Sequence, residues 1–185
     1  MKPILAILSV IVGAFAYGYM TVTTSFGTGE GLSFTTFLLW SGLAGIACYN
    51  LIKKDGGWGI SLMYGIGATS VAITLIYKGR CDWSCTDTVV AFLVVACVYL
   101  SKTKGPTVGL VASVVAGVIA GIPFIVLTWK NPAASPIISN VGFLTSNILS
   151  FLSGKTWTMK DRLYGGANAV ACILLVLPWV LYHLD

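Results

Sequence analysis

Asn140 and Asn147, seven residues apart with Phe143 and Leu144 between them, are the residues best suited to holding a neutral ligand. Seven residues is close to two helical turns, so both amides lie on nearly one face. A carboxamide donates and accepts hydrogen bonds, and a neighbouring Phe143 ring offers a stacking surface, a combination that suits a polar, uncharged solute. The same segment carries Ser139, Thr145, Ser146, Ser150 and Ser153, far more polarity than a lipid-facing helix should hold, so it faces protein or water. The serines read as interhelical hydrogen-bond donors, each worth about 0.6 to 2 kcal/mol. For the two asparagines, recognition of a solute and bonding between helices are both open. Further along, Tyr164, Asn168 and Cys172 recur at four-residue steps, and Tyr64, Ala68 and Ala72 form the matching stripe one hundred residues earlier. Trp40 is a further ligand candidate, whereas Tyr49 and Asn50, close to Lys53 and Lys54, read as anchors at the membrane interface. Gly109, Ser113, Gly117 and Gly121 make a strict four-residue ladder of small side chains, which lets another backbone approach closely. Packing within the bundle satisfies that ladder, with a homodimer through the same face as the alternative.

What is missing narrows the chemistry further. Glu30, Asp55, Asp82, Asp87, Asp161 and Asp185 are all the acidic residues, and each falls in a loop or near a helix end. Asp87 and Asp161 read as helix caps. No apolar stretch has a central carboxylate, lysine, arginine or histidine, which argues against ion-coupled pumping and proton relays. The same lack argues against a retinal Schiff base, against hydrolytic or phosphoryl-transfer catalysis and against a lipid-modifying enzyme. Neither a cofactor nor a metal is expected. Cys81 and Cys85 could form a disulfide, remain thiols or offer two metal ligands, but His183 is the only histidine and no second pair completes a zinc site. Cys48, Cys97 and Cys172 fall inside apolar stretches, where cysteine acts as a small filler.

These residues are positioned by seven apolar stretches, at about 4–23, 33–52, 57–77, 86–101, 106–129, 136–153 and 162–183. Roughly 20 apolar residues at 1.5 Å rise cross a hydrocarbon core. With 57% hydrophobic and 9% charged residues the chain departs from water-soluble domains, in which about 45–50% apolar and 25% charged residues are usual. The expectation is an all-α polytopic membrane protein with seven transmembrane helices and a single membrane domain over 1–185. The first stretch also fits a secretory signal peptide ending at Ala14-Phe15-Ala16, but its continuation through Tyr17–Val22 favours retention as a helix.

The net charge of +5 is scattered over loops, at most two basic residues in a row, and does not suggest nucleic-acid binding. Topology accounts for it better. An internal N-terminus puts Lys2, Lys53, Lys54, Lys102, Lys104, Lys155, Lys160 and Arg162 inside, against Lys78, Arg80 and Lys130 outside. That bias predicts a cytoplasmic N-terminus and an external C-terminus in a plasma or inner membrane, with Cys81 and Cys85 outside.

Val10–Ala16 is similar to Val114–Ala120 at an offset of 104, and Tyr64-Gly65, Ile73 and Leu75 match Tyr164-Gly165, Ile173 and Leu175 at an offset of 100. Helices one and three thus pair with helices five and seven. The plan is a three-helix repeat over 1–80, a linker helix over 81–104 and a second repeat over 105–185, the odd linker making the repeats parallel. Gly31-Leu32-Ser33-Phe34 followed by Phe37-Leu38-Leu39-Trp40, the late helix-five proline in Ala120-Gly121-Ile122-Pro123, and Asn168 one turn after Tyr164 resemble features of the SWEET and PQ-loop superfamily of sugar and amino-acid transporters. The resemblance implies a three-plus-one-plus-three fold, Pro123 as a hinge and Asn168 as a substrate contact. Pro123 is followed by Phe124 rather than glutamine, Tyr19 stands where the repeat would place proline, and Ala68 stands opposite Asn168. The expected orientation is more like that of the nicotinamide riboside transporter family. Taken together, the chain is expected to be a facilitative transporter of a small neutral polar solute such as a sugar, nucleoside or vitamin. Asn168, Asn147, Asn140, Trp40 and Phe143 would form its site, with Tyr64 and Tyr164 beside it. The alternative is a non-transporting membrane interaction protein, an assembly factor or receptor, that binds a partner helix through polar helix six.

Overall fold

The structure, a computed structural model, describes residues 2–27, 31–53, 58–154 and 158–184, without the side chains at 86, 101, 106 and 159–161. Glu30, Lys54, Asp55, Lys155 and Asp185 lie outside the described residues, as do the side chains of Lys160 and of Asp161, with its expected cap. Seven α-helices account for nearly all the described chain: α1 (Lys2–Phe26), α2 (Phe34–Ile52), α3 (Gly59–Tyr77), α4 (Cys85–Thr103), α5 (Pro106–Lys130), α6 (Ile137–Ser153) and α7 (Met159–Tyr182). A single 3-10 turn at Pro132–Ala134 joins α5 to α6.

Local chemistry sets the helix ends. Ser33 caps α2, its hydroxyl accepting from the Thr36 amide at 3.2 Å. Ser84 and Asp87 form a reciprocal capping box at the start of α4, so Asp87 has the capping role that its position predicts. Gly105, at φ +86°, turns the chain into α5, where Pro106 takes the first helical position. The first helix outlasts its apolar stretch because Thr23, Thr24 and Ser25 return their hydroxyls to carbonyls one turn back, at 2.7 to 2.9 Å for the shortest bond of each. Arg162, mostly buried at the start of α7, donates to the carbonyls of Phe151 at 2.6 Å and Gly154 at 3.1 Å. Its guanidinium also lies 5.1 Å over the Phe151 ring, closing the exposed end of α6 with a charge suited to a helix C-terminus. Cys81 and Cys85 are free, exposed thiols, so the structure does not contain the disulfide that their spacing allows. Ser84, extended between them as the α4 cap, carries the chain straight into the helix.

Among the described residues, five helices are long and apolar enough to cross a membrane: Lys2–Phe26, Phe34–Ile52, Gly59–Tyr77, Thr107–Lys130 and Arg162–Tyr182. The protein is therefore described as an all-helical membrane protein. Within α4 and α6 the apolar segments are shorter, Asp87–Leu100 and Ile137–Ser153. At 1.5 Å per residue α6 is about 26 Å long, just under the hydrocarbon thickness.

Six helices close into a ring. Its order is α1, α3, α2, α5, α7, α6 and back to α1, while α4 lies outside, packed along α5 and barely touching α2. Exchanging α1 with α5, α2 with α6 and α3 with α7 returns the same set of packed pairs around the ring. Each triplet packs through its third helix, and the triplets meet at two seams, α1 with α6 and α2 with α5. Both seams rely on small residues. At the first, a Cβ on Gly142 would come within 2.8 Å of the Ala16 Cβ, and Ser146 donates to the Ser9 carbonyl at 2.6 Å. At the second, the Trp40 indole N–H donates to the Gly117 carbonyl at 2.7 Å, and a Cβ on Gly121 would meet the ring at 3.0 Å.

Candidate functional site

Halfway along the ring helices lies a small cavity of about 40 Å³. Trp40 of α2, Tyr64 of α3, Phe143 of α6, and Tyr164 and Asn168 of α7 border it. Five of the seven residues predicted to contact a solute are thus brought together from four helices. Ser113 and Gly117 supply the α5 wall, and Leu43, Ala44, Val114, Ala171, Cys172 and Leu175 complete the lining.

Asn147 stands one layer behind. Its Nδ2 donates to the Tyr64 hydroxyl and to the Phe143 carbonyl at 2.8 Å, with the Cys172 sulfur at 3.6 Å. The amide therefore holds the Tyr64 ring, which faces the cavity, while its own Oδ1 is buried without a hydrogen-bond partner. Asn168 sends its Nδ2 to the Tyr164 carbonyl one turn back, at 2.9 Å.

Asn140 does not belong to this group. It lies two turns nearer the start of α6, about 10 Å along the helix, and donates to the Ser135 hydroxyl at 3.0 Å. A shared helical face does not bring two amides to one ligand when they lie at different depths. Pro123 also lies away from the central cavity. It borders an open cavity of about 520 Å³ at the end of the bundle where α2 begins, together with Arg80, Asp82, Asp87 and Lys130.

The ladder on α5 has a more specific arrangement than general packing. Ser113 and Gly117 face the cavity, Gly117 and Gly121 seat the Trp40 indole, and Gly109 is buried nearer the start of the helix. Sequence reasoning missed Tyr17. Its ring meets Phe143 at 4.4 Å and Tyr64 at 5.3 Å, and its hydroxyl is buried without a partner. The offset of 104 pairs Tyr17 with Gly121, in the same ladder position, and Gly67 on α3 makes room for its ring, since a Cβ there would overlap it.

Aligning the starts of α2 and α6, Phe34 with Ile137, sets Trp40 against Phe143 and Ala44 against Asn147. Tyr64 and Tyr164, equivalent at an offset of 100, meet edge to face at 6.2 Å. Ser9 and Ser113 correspond at 104, are both buried, and each donates to the carbonyl three residues back, at 2.8 and 2.9 Å.

Towards the start of α2 the cavity is shut by Phe37 and Phe124, rings 5.6 Å apart, together with Leu75 and Leu175, all essentially inaccessible. Towards the other end the Tyr64 and Tyr164 rings border it. Its 40 Å³ admits a few water molecules, whereas drug-sized ligand pockets run to roughly 300–1,000 Å³. The arrangement is a small, uncharged cavity with aromatic faces, one amide and hydroxyls. Comparison with protein-family models, curated proteins and solved structures finds no match.

Most of the polar face of α6 is turned inward, but Thr145 is exposed and returns its hydroxyl to the Val141 carbonyl at 2.9 Å, and Ser150 and Ser153 are half-buried. Ser139, Asn140, Ser146 and Asn147 are fully buried, while Ile138, Val141, Ile148 and Leu152 are exposed.

Proposed function

We propose that this protein is a facilitative transporter of a small, largely neutral polar solute, such as a sugar, nucleoside or vitamin, working by alternating access between the triplets α1–α3 and α5–α7. Seven membrane-spanning helices are part of the reading: α6 is packed between α1 and α7 and shares their depth, and α4 lies along α5. The reading includes a cytoplasmic N-terminus and an external C-terminus, supported by Lys2, Lys53, Lys102, Lys104 and Arg162 at one end of the helices, with Lys78, Arg80 and Lys130 at the other. No catalytic step is assigned.

One observation carries the proposal: the small mid-depth cavity is lined from both triplets by aromatic rings, an amide and hydroxyls. Asn168, Trp40, Tyr64, Tyr164 and Phe143 would touch the solute, Asn147 would hold Tyr64 in place, and Tyr17 would back Tyr64 and Phe143. Parting of the triplets would enlarge the chamber, with Pro123 as the bend in α5. An interaction protein using polar α6 is the weaker reading, because that face is occupied within the bundle.

The test is the unfolding midpoint of detergent-purified protein against sugars, nucleosides, vitamins and amino acids, since a ligand that binds only the folded state raises it. A saturable rise with one solute class is expected, lost in Asn168→Ala while the unliganded midpoint changes little. No rise with any class at millimolar concentration, together with no uptake by proteoliposomes, would refute transport.

A further inference from the structure

Because α4 follows α5 and diverges from α2, a crevice of about 650 Å³ remains between α2 and α4, on the outside of the ring. Its deeper part is apolar, walled by Gly42, Gly45, Ile46 and Val98. A Cβ on either Gly42 or Gly45 would meet no atom within 4 Å, so the trough is vacant up to the α2 backbone. Lys53 and Lys102 stand at the mouth of the crevice. No acidic side chain is among the described residues that line it.

Asn50 supplies a second, independent observation. Its place beside the lysines predicts an interfacial anchor, but it is only 5% exposed, and its Nδ2 is buried without an acceptor. A buried amide donor without a partner is costly, and Asn50 borders the crevice, so turning its side chain towards the opening would give that donor an anionic acceptor beside the two lysines. Tyr49 behaves as the anchor its position suggests, exposed and with the Lys53 ammonium 4.6 Å over its ring.

We propose that this crevice binds one anionic phospholipid, its phosphate held by Lys53, Lys102 and the Asn50 amide, and one acyl chain lying along Gly42, Gly45 and Val98. Free phosphate shares the headgroup chemistry but would leave the apolar trough empty. A lipid fills both parts, and basic pockets between membrane helices are suited to anionic headgroups. The site lies outside the ring and does not depend on the transport reading.

The experiment measures binding of short-chain phosphatidylglycerol, phosphatidylcholine and inorganic phosphate to the detergent-purified full chain, by native mass spectrometry and by the unfolding midpoint. Saturable binding of one phosphatidylglycerol is expected, weakened about tenfold or more in Lys53→Gln/Lys102→Gln. Lys2→Gln, which removes a charge at the same end but away from the crevice, should bind as the unaltered protein does. Gly45→Leu fills the trough without touching a lysine and should also weaken the lipid, which keeps the test open if the lysine variant fails to fold. Equal binding of phosphatidylcholine, an equal effect of inorganic phosphate, or unchanged affinity in Gly45→Leu would each overturn the assignment.

Discussion

At equivalent positions the first triplet presents Ala44, Ala68 and Ala72, where the second presents Asn147, Asn168 and Cys172. The aromatic positions are matched instead: Trp40 with Phe143, and Tyr64 with Tyr164. The shared architecture thus supplies rings on both sides and polar groups on one. An amide in the membrane interior is costly unless it finds partners. Asn147 finds them in Tyr64 and Phe143, and Asn168 borders the cavity, whereas Ala68 is packed without any accessible surface. Most of the cavity lining accordingly comes from α5, α6 and α7, and the first triplet acts mainly as an aromatic backstop.

Making the two halves alike should be most damaging on the apolar side. Ala68→Asn puts an amide where there is neither space nor partner, and should cost about 3 kcal/mol, or about 10 °C in the unfolding midpoint. An unchanged midpoint would mean that this position does not discriminate between the triplets. The opposite exchange, Asn147→Ala, strips the donor from the Tyr64 hydroxyl and should cost about 2 kcal/mol. A fall of under 1 °C in the unfolding midpoint would show that the amide holds nothing. Trp40→Phe keeps the ring but deletes the indole N–H to Gly117, with an expected loss of about 1 kcal/mol. Chemical denaturation of the two proteins side by side would show it. Smallest are Ser9→Ala and Ser113→Ala, each about 0.5 kcal/mol. Similar values would support the equivalence of α1 and α5, and a large disparity would break it.

Much of this layout was legible in residue types. Apolar run lengths located all seven helices to within a few residues, and the crowding of Ser and Asn in α6 placed that face away from lipid. Periodicity could not say which depth along a face meets a cavity, so Asn140 was grouped with Asn147. Ser135, in a loop before α6, takes the Asn140 amide, and a contact made by a connecting segment leaves no periodic trace. Asn50 was obscured by its neighbours: two lysines nearby suggest an exposed surface, whereas the inward turn of that one residue depends on how α2 meets the ring. Tyr17 lay within reach, since the offset that pairs Gly13 with Gly117 also sets Tyr17 against Gly121.

The two seams carry one further implication. Each is tied by a hydrogen bond well inside the bundle, Ser146 to Ser9 on one side and Trp40 to Gly117 on the other. Two ties on opposite sides of a ring define an axle. If the triplets rock while both ties hold, a gap that opens above the axle must narrow below it, so the mouths work as a seesaw and an uninterrupted water path has no geometry in which to form.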